Sequence, residues 1–255
     1  MRRLIINADD FGFTRDVNSG IVHAHVNGVL TSTTLMANGD AFDDAVRLAK
    51  ETPTLDIGAH LVLVQGFSLL DGRPLPEGPR QLLPLLVRRS IDVYAELKAQ
   101  IEKIRAHGLR ISHLDSHKHT HLVPSVFRTV VKLADEFGIP WVRLPLDTTV
   151  RFGKLSTAFG NRYYRRFAAG KNIRLTDHFL GFRLTGSLTE ETLAQALSNI
   201  EDGTTEFMCH PGYLGDELKQ SRTRLKESRL RELEALTAPR IRQLIAERGI
   251  QLGPF

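Results

Sequence analysis

The sequence predicts a single-domain α/β fold with largely parallel strands, and three observations point there. Strand-like and helix-like apolar patterns alternate along the chain. Its 255 residues fall in the range of one large α/β barrel or two small domains, and no repeat or low-complexity linker divides them. Polar side chains recur where the strands end, as they do when parallel strands gather their carboxy ends on one face.

Composition narrows the class further. A hydrophobic content of 42% and a charged content of 25% exclude disorder and fibrous repeats. The single cysteine, Cys209, has no internal partner for a disulfide, so nothing argues for an oxidising compartment. Two arginines and a short apolar run open the chain, but the run meets Asp9 and Asp10 too soon for a leader; it reads as a first strand of a cytoplasmic protein. No apolar segment approaches the ~20 residues of a membrane span. The net charge of +5 is spread among mixed signs, a solvated surface rather than a nucleic-acid interface.

In chain order, Leu4 to Asn7 is an apolar strand. Val17, Ile21, Ala24 and their neighbours have helical spacing from Asp16 to Asn27, closed by Gly28. Ser32 to Met36 is a second strand, Ala41 to Glu51 a helix that stops before Pro53, and Ile57 to Val64 a third strand. Gln65 to Pro84, rich in Gly, Pro and Leu, reads as a long irregular loop of the kind that covers a site. A helix from Ile91 to His107 ends at Gly108. The stretch Ile111-Ser-His-Leu-Asp-Ser-His-Lys-His-Thr-His121 is a strand and its exit; Pro124 opens a helix to Phe137, and Trp141 to Leu144 is a further strand.

The least legible segment is an irregular insertion at 148–180, where Arg151, Lys154, Arg162, Arg165 and Arg166 interleave with Phe152, Phe159, Tyr163 and Tyr164. Basic residues among aromatics can hold nucleic acid or sugar; a helical insertion with a basic face is favoured over nucleic-acid binding, and its apolar residues leave a homodimer contact open. Ser187 or Thr189 caps a helix, and Thr204 to His210 is a late strand. Ser221 to Arg248 is helical, restarts at Thr237-Ala-Pro239, and balances its arginines with glutamates as a surface helix does.

Four strand ends carry groups suited to chemistry: Asp9-Asp10, His60, His113 to His117, and Cys209-His210-Pro-Gly212. Adjacent carboxylates repel unless a cation or hydrogen-bond donors compensate, and a metal held by one leaves the other free to accept a proton. Helix capping is the alternative for either aspartate. Imidazole is a common metal ligand, and His117, His119 and His121 would share a side if that segment were extended. Spacing alone does not choose among the histidines.

Together, Asn7-Ala-Asp-Asp-Phe-Gly12, Thr31-Ser-Thr-Thr34, Gly58-Ala-His-Leu-Val-Leu63, His113-Leu-Asp-Ser-His-Lys-His119 and Cys209-His-Pro-Gly212 resemble the YdjC-like carbohydrate deacetylases along nearly the whole chain. The resemblance implies a distorted (β/α) barrel of the glycoside hydrolase and deacetylase type, a divalent metal, and removal of an acetyl group from an N-acetylated sugar. It implies Asp10, His60 and His117 as metal ligands, Asp9 as base and His210 as acid.

His119 and Arg143 are carried as substrate contacts. Arg143, at a strand end, could equally pair with Asp9 and keep it ionised, and Asp115 could orient an imidazole or cap a turn. Two imidazoles and a carboxylate suit zinc, cobalt or nickel, and the resemblance leaves magnesium open. The expected partner is a small acetylated sugar. A metal-dependent phosphoesterase is the rival enzyme reading, although no Gly-rich phosphate loop is present, and a metal- or nucleic-acid-binding module is the non-catalytic one.

Overall fold

A computed structural model describes residues 1–146 and 153–255 of the chain. Arg151 and Phe152, two of the basic and aromatic residues singled out in the insertion, lie outside the described residues. Strand β1 (Arg2–Phe11) is followed by α1 (Arg15–Asn27), β2 (Ser32–Leu35), α2 (Phe42–Glu51), β3 (Asp56–Leu61), α3 (Pro79–Val87) and α4 (Val93–Ala106). Then come β4 (His113–Ser116), a tight turn over His117–Leu122, α5 (Pro124–Glu136), β5 (Trp141–Val142) and α6 (Gly153–Ala168). The chain continues with β6 (His178–Leu180), α7 (Glu190–Ser198), β7 (Gly203–Cys209), α8 (Asp216–Gln220), α9 (Glu227–Thr237), α10 (Pro239–Glu247) and β8 (Gln251–Leu252).

Seven strands pair in the order β5-β4-β3-β2-β1-β7-β6, every ladder parallel, with β8 beside the start of β1. Parallel neighbours need crossovers, and the helices supply them. The sheet curls until its edges approach, where Trp141 at the start of β5 bridges Arg174 ahead of β6. This is the distorted barrel that the motifs imply.

Two different environments result. Outside the curl, apolar stripes such as Val17, Ile21 and Ala24 of α1 and Phe127, Val130, Val131 and Ala134 of α5 pack into the main core. Full burial of a Val, Ile or Phe side chain contributes about 1.5–3 kcal/mol. Inside the curl many of the buried side chains are polar: Asn7, His113, Asp115, Arg143 and Glu206 are all fully inaccessible. A polar interior open at the carboxy ends of the strands is what positions the site.

Several expected boundaries change. Strand β1 extends past Asn7 to Phe11, so Asp9 and Asp10 lie within the strand near its end, rather than following it as expected. The Gln65 to Pro84 segment is not irregular throughout, because α3 begins at Pro79, a favourable first helical position, and carries Pro84 within it. Part of the 148–180 insertion is the helix α6, and it ends in β6. Thr189 rather than Ser187 caps α7, in a reciprocal box with Thr192. Helix α9 is a solvated surface helix on one face only: Glu227, Arg231 and Glu234 are exposed, but Arg229 and Glu232 are 1% exposed and turn inward. No described helix is long and apolar enough to cross a membrane.

Candidate metal centre

Three donor atoms from three separate strand ends converge. Asp10 Oδ1 lies 3.1 Å from His117 Nδ1 and 3.4 Å from His60 Nε2, and the two ring nitrogens are 3.3 Å apart. Ligand atoms ~2.1 Å from a common cation are roughly 3.0–3.5 Å from one another, so the triangle has the dimensions of a metal site.

The outer nitrogens of both rings are engaged. His60 Nδ1–H donates to Asp115 Oδ1 at 2.7 Å, and His117 Nε2–H to Gln65 Oε1 at 3.0 Å. Those bonds leave His60 Nε2 and His117 Nδ1 with lone pairs facing Asp10, an arrangement a cation reconciles. Burial disfavours a charged His60, yet Asp115 and Asp9 overrule it and push its pKa up to about 10. The pocket therefore demands positive charge here, as a proton or as a metal ion that displaces it. These residues fit a divalent metal. A second triad, Asp9, His60 and Asp115, already holds a cation, since Arg143 Nη1 lies 2.9 Å from Asp9 Oδ2 and 2.7 Å from Asp115 Oδ2.

The sequence builds these positions locally. On β3, a Cβ on Gly58 would fall 2.4 Å from the His113 ring, so glycine there admits His113 to the interior. Two residues on, and therefore on the same face, stands His60, in register with Asp115 on β4. Thr34 of β2 donates to Asp115 Oδ2 at 3.2 Å, which gives the Thr31-Ser-Thr-Thr34 motif its place. Backbone strain concentrates here: among the described non-glycine residues with positive φ, Asp10, Gln65, Lys118 and His119 all line one cavity, and only Arg89 does not.

That cavity, of about 690 Å³, opens over the triangle and is also lined by Asp9, His210, Phe182, Met208, Arg183, Arg222 and Arg224. His210 Nε2 lies 4.0 Å from Asp9 Oδ2. Burial disfavours charge on Asp9, but Arg143, seconded by His60 and His210, more than offsets it and holds the carboxyl well below the usual range. Burial likewise takes the His210 imidazole down to about 4 despite Asp9 and Asp10.

The structure thus brings together Asp9, Asp10, His60, His117 and His210. His119 lines the cavity beside Phe182, with ring centroids 5.4 Å apart. The remaining histidines turn away. Lys118 and His119 both adopt left-handed backbone angles, so the segment is not extended and His117, His119 and His121 do not share a side. His121 is buried against Ser116 and the Arg143 carbonyl, and His113 against Asn7 and Phe255.

Arg143, carried as a substrate contact, takes the alternative offered for it and pairs with Asp9. It is fully buried behind Asp9, to which it gives two hydrogen bonds of 2.7 and 2.9 Å, and it pairs with Glu206 at 2.6 Å. Its side chain is not among those that line the cavity.

Glu206, Gln65, Arg229 and Glu232 were not anticipated. Glu206 had a signal, a carboxylate in the apolar strand Thr204 to Cys209. Arg229 and Glu232 interrupt the buried stripe that continues through Leu233 and Leu236. Glu232 Oε2 accepts the His210 backbone N–H at 2.6 Å and lies 4.0 Å from His210 Nδ1, so it fixes the segment that presents this imidazole.

Burial pushes Glu232 up to about 7, from 4.5. The folded protein then keeps a proton that the unfolded chain releases, and stability is lost as pH rises from about 4.5 towards 7. In metal-free protein, Glu232→Gln should flatten this loss. Urea unfolding should show the variant gaining on the parent between about pH 5 and pH 8; a difference independent of pH would remove Glu232 from the account.

Comparisons with known proteins place the chain. The YdjC-like protein family matches residues 3–247. A carbohydrate deacetylase of Brevibacillus brevis is 37% identical over 99% of this chain and 98% of its own length. A chitooligosaccharide deacetylase of Salmonella paratyphi B is 33% identical over 100% and 98%. A crystal structure from Enterococcus faecalis, whose description proposes cellobiose-phosphate cleavage, superposes with a TM-score of 0.82 at 29% identity, covering 99% of this chain and 97% of that one. With the motifs, the curled parallel sheet and the family match over residues 3–247 in agreement, the chain belongs to the YdjC-like family.

Proposed function

We propose that this protein is a metal-dependent carbohydrate deacetylase that hydrolyses the N-acetyl amide of an amino sugar. The observation that carries the reading is the Asp10, His60 and His117 triangle on the floor of a cavity that also presents Asp9 and His210. The names of the relatives support it. Asp10, His60 and His117 would hold the metal. A divalent ion there supplies Lewis acidity, which an amide carbonyl and a water molecule both need at neutral pH.

The protein's own groups supply the proton traffic. Asp9, kept ionised by Arg143, accepts a proton from the attacking water. His210, neutral at rest and 4.0 Å from Asp9, takes up that proton through Nε2 and delivers it to the departing amine. Phe182, 45% exposed in the cavity wall, offers an apolar face to a sugar ring, and His119 beside it a polar edge. Two imidazoles and a carboxylate favour zinc, cobalt or nickel over magnesium.

Lys118, Arg183, Arg222 and Arg224 surround the mouth of the cavity, which suits an acetylated sugar bearing a phosphate or carboxylate better than a neutral one. The expected result is acetate release from N-acetylglucosamine oligomers or their phosphorylated forms, abolished by a chelator and restored by divalent ions. Any preference for the anionic form should shrink at high salt. Release that survives chelation sinks the metal-dependent mechanism, and no release across acetylated glycans sinks the activity.

A further inference from the structure

The adjacent carboxylates Asp9 and Asp10 each receive a buried arginine, but on different terms. Arg143 takes both oxygens of Asp9. Arg229, from α9, takes only Oδ2 of Asp10, at 2.5 Å, and leaves Oδ1 to face His60 and His117.

Arg229 is not free to choose this geometry. Its Nε donates to the Leu225 carbonyl at 3.3 Å, and its guanidinium carbon lies 5.8 Å from the centre of the Phe13 ring. Its aliphatic stem runs along Gly212, where a Cβ would come within 3.2 Å of Arg229 Cδ. The last glycine of the Cys209-His-Pro-Gly212 motif thus makes room for the arginine, and the Gly212 N–H donates to the Arg229 carbonyl at 3.2 Å. Asp10 itself sits at φ 71°, a strained setting for a non-glycine residue that an ion pair on the far oxygen helps to hold.

We propose that Arg229 is a positioning residue that makes Asp10 a one-oxygen ligand, and so, with Arg143, decides which aspartate of the pair binds the metal. The inference rests on the metal-centre reading above. By occupying Oδ2, Arg229 keeps a coordination position from being filled by protein, and its charge tempers the affinity of the site for a dication.

The test is a cobalt(II) titration of metal-free wild type and Arg229→Gln, following the visible bands and confirming the fold by circular dichroism. The visible bands of cobalt(II) weaken as coordination number rises. Without the guanidinium, Oδ2 turns onto the ion. Arg229→Gln should therefore bind cobalt about tenfold more tightly with bands about twofold weaker. A purely structural arginine predicts looser binding and unchanged bands, and that result overturns the proposal while leaving the metal centre intact.

Wild type that takes up no cobalt overturns both. Should the variant fail to fold, a loaded-minus-apo infrared difference spectrum of wild type with zinc decides. A wide splitting of the carboxylate stretches is expected for one-oxygen ligation, and a narrow two-oxygen splitting refutes it.

Discussion

Asp9→Asn is expected to lower kcat for acetate release by about 10²–10⁴-fold while holding divalent-metal affinity within about tenfold. The amide keeps the size of the side chain and can still accept one hydrogen bond from Arg143, but it cannot take a proton. Asp9 makes no contact with His117 comparable to that of Asp10, whose Oδ1 is 3.1 Å from His117 Nδ1, so the donor triangle survives the substitution. Steady-state kinetics together with metal titration of the same preparation check it. Loss of metal along with activity would show that Asp9 is a ligand and that the division of roles is wrong.

The second large effect is expected at Arg143. One fully buried guanidinium serves three buried carboxylates, Asp9 at 2.7 Å, Asp115 at 2.7 Å and Glu206 at 2.6 Å. Arg143→Met removes the guanidinium from all three, and stranding a single buried charge already costs about 3–5 kcal/mol. At least that loss is expected in urea unfolding near neutral pH. Asp9, held low in the parent, contributes stability above its unfolded pKa of 3.8. In the variant Asp9 no longer has the guanidinium that resists its protonation, so it takes up a proton at higher pH than in the parent and the gap to the parent narrows as pH falls from neutral. Arg143→Lys should fall between the two, restoring charge without the fork that spans three acceptors. A variant as stable as the parent at neutral pH would mean that the interior charges are paired elsewhere.

The parts of this site legible in the sequence share one property: they stand at strand ends within short runs of polar residues. Asp9-Asp10, His60, the His113 to His117 run and His210 are legible as candidates because parallel strands bring their carboxy ends together, whereas the choice of His117 within its run comes only from the family resemblance. The alternation of strands and helices was legible for the same reason, since one period gives way to another along the chain.

What could not be read depends on facing rather than on position. Arg143 was visible as a strand-end cation, but whether it faces the cavity or the interior is set by the curl of the sheet. His119 and His121 parted from His117 because two successive residues adopt left-handed angles, which the side chains of Lys118 and His119 do not announce. Arg229 and Glu232 looked like members of a charged surface helix because glutamates balance arginines throughout that region. Only the packing of α9 against α1 and the site buries those two. The helix at Pro79 was masked by its Gly- and Pro-rich approach, although proline at a first helical position is itself a start signal.

The central claim is that Asp10, His60 and His117 hold a single divalent ion. A calorimetric titration of metal-free protein with zinc tests it most directly, with His117→Ala and Asp9→Asn run alongside. One ion per chain is expected for wild type and for Asp9→Asn. His117→Ala should lose more affinity than the about 10–100-fold that losing a supporting hydrogen bond costs. Wild type that binds no ion, or His117→Ala that binds zinc as tightly as wild type, would contradict the claim.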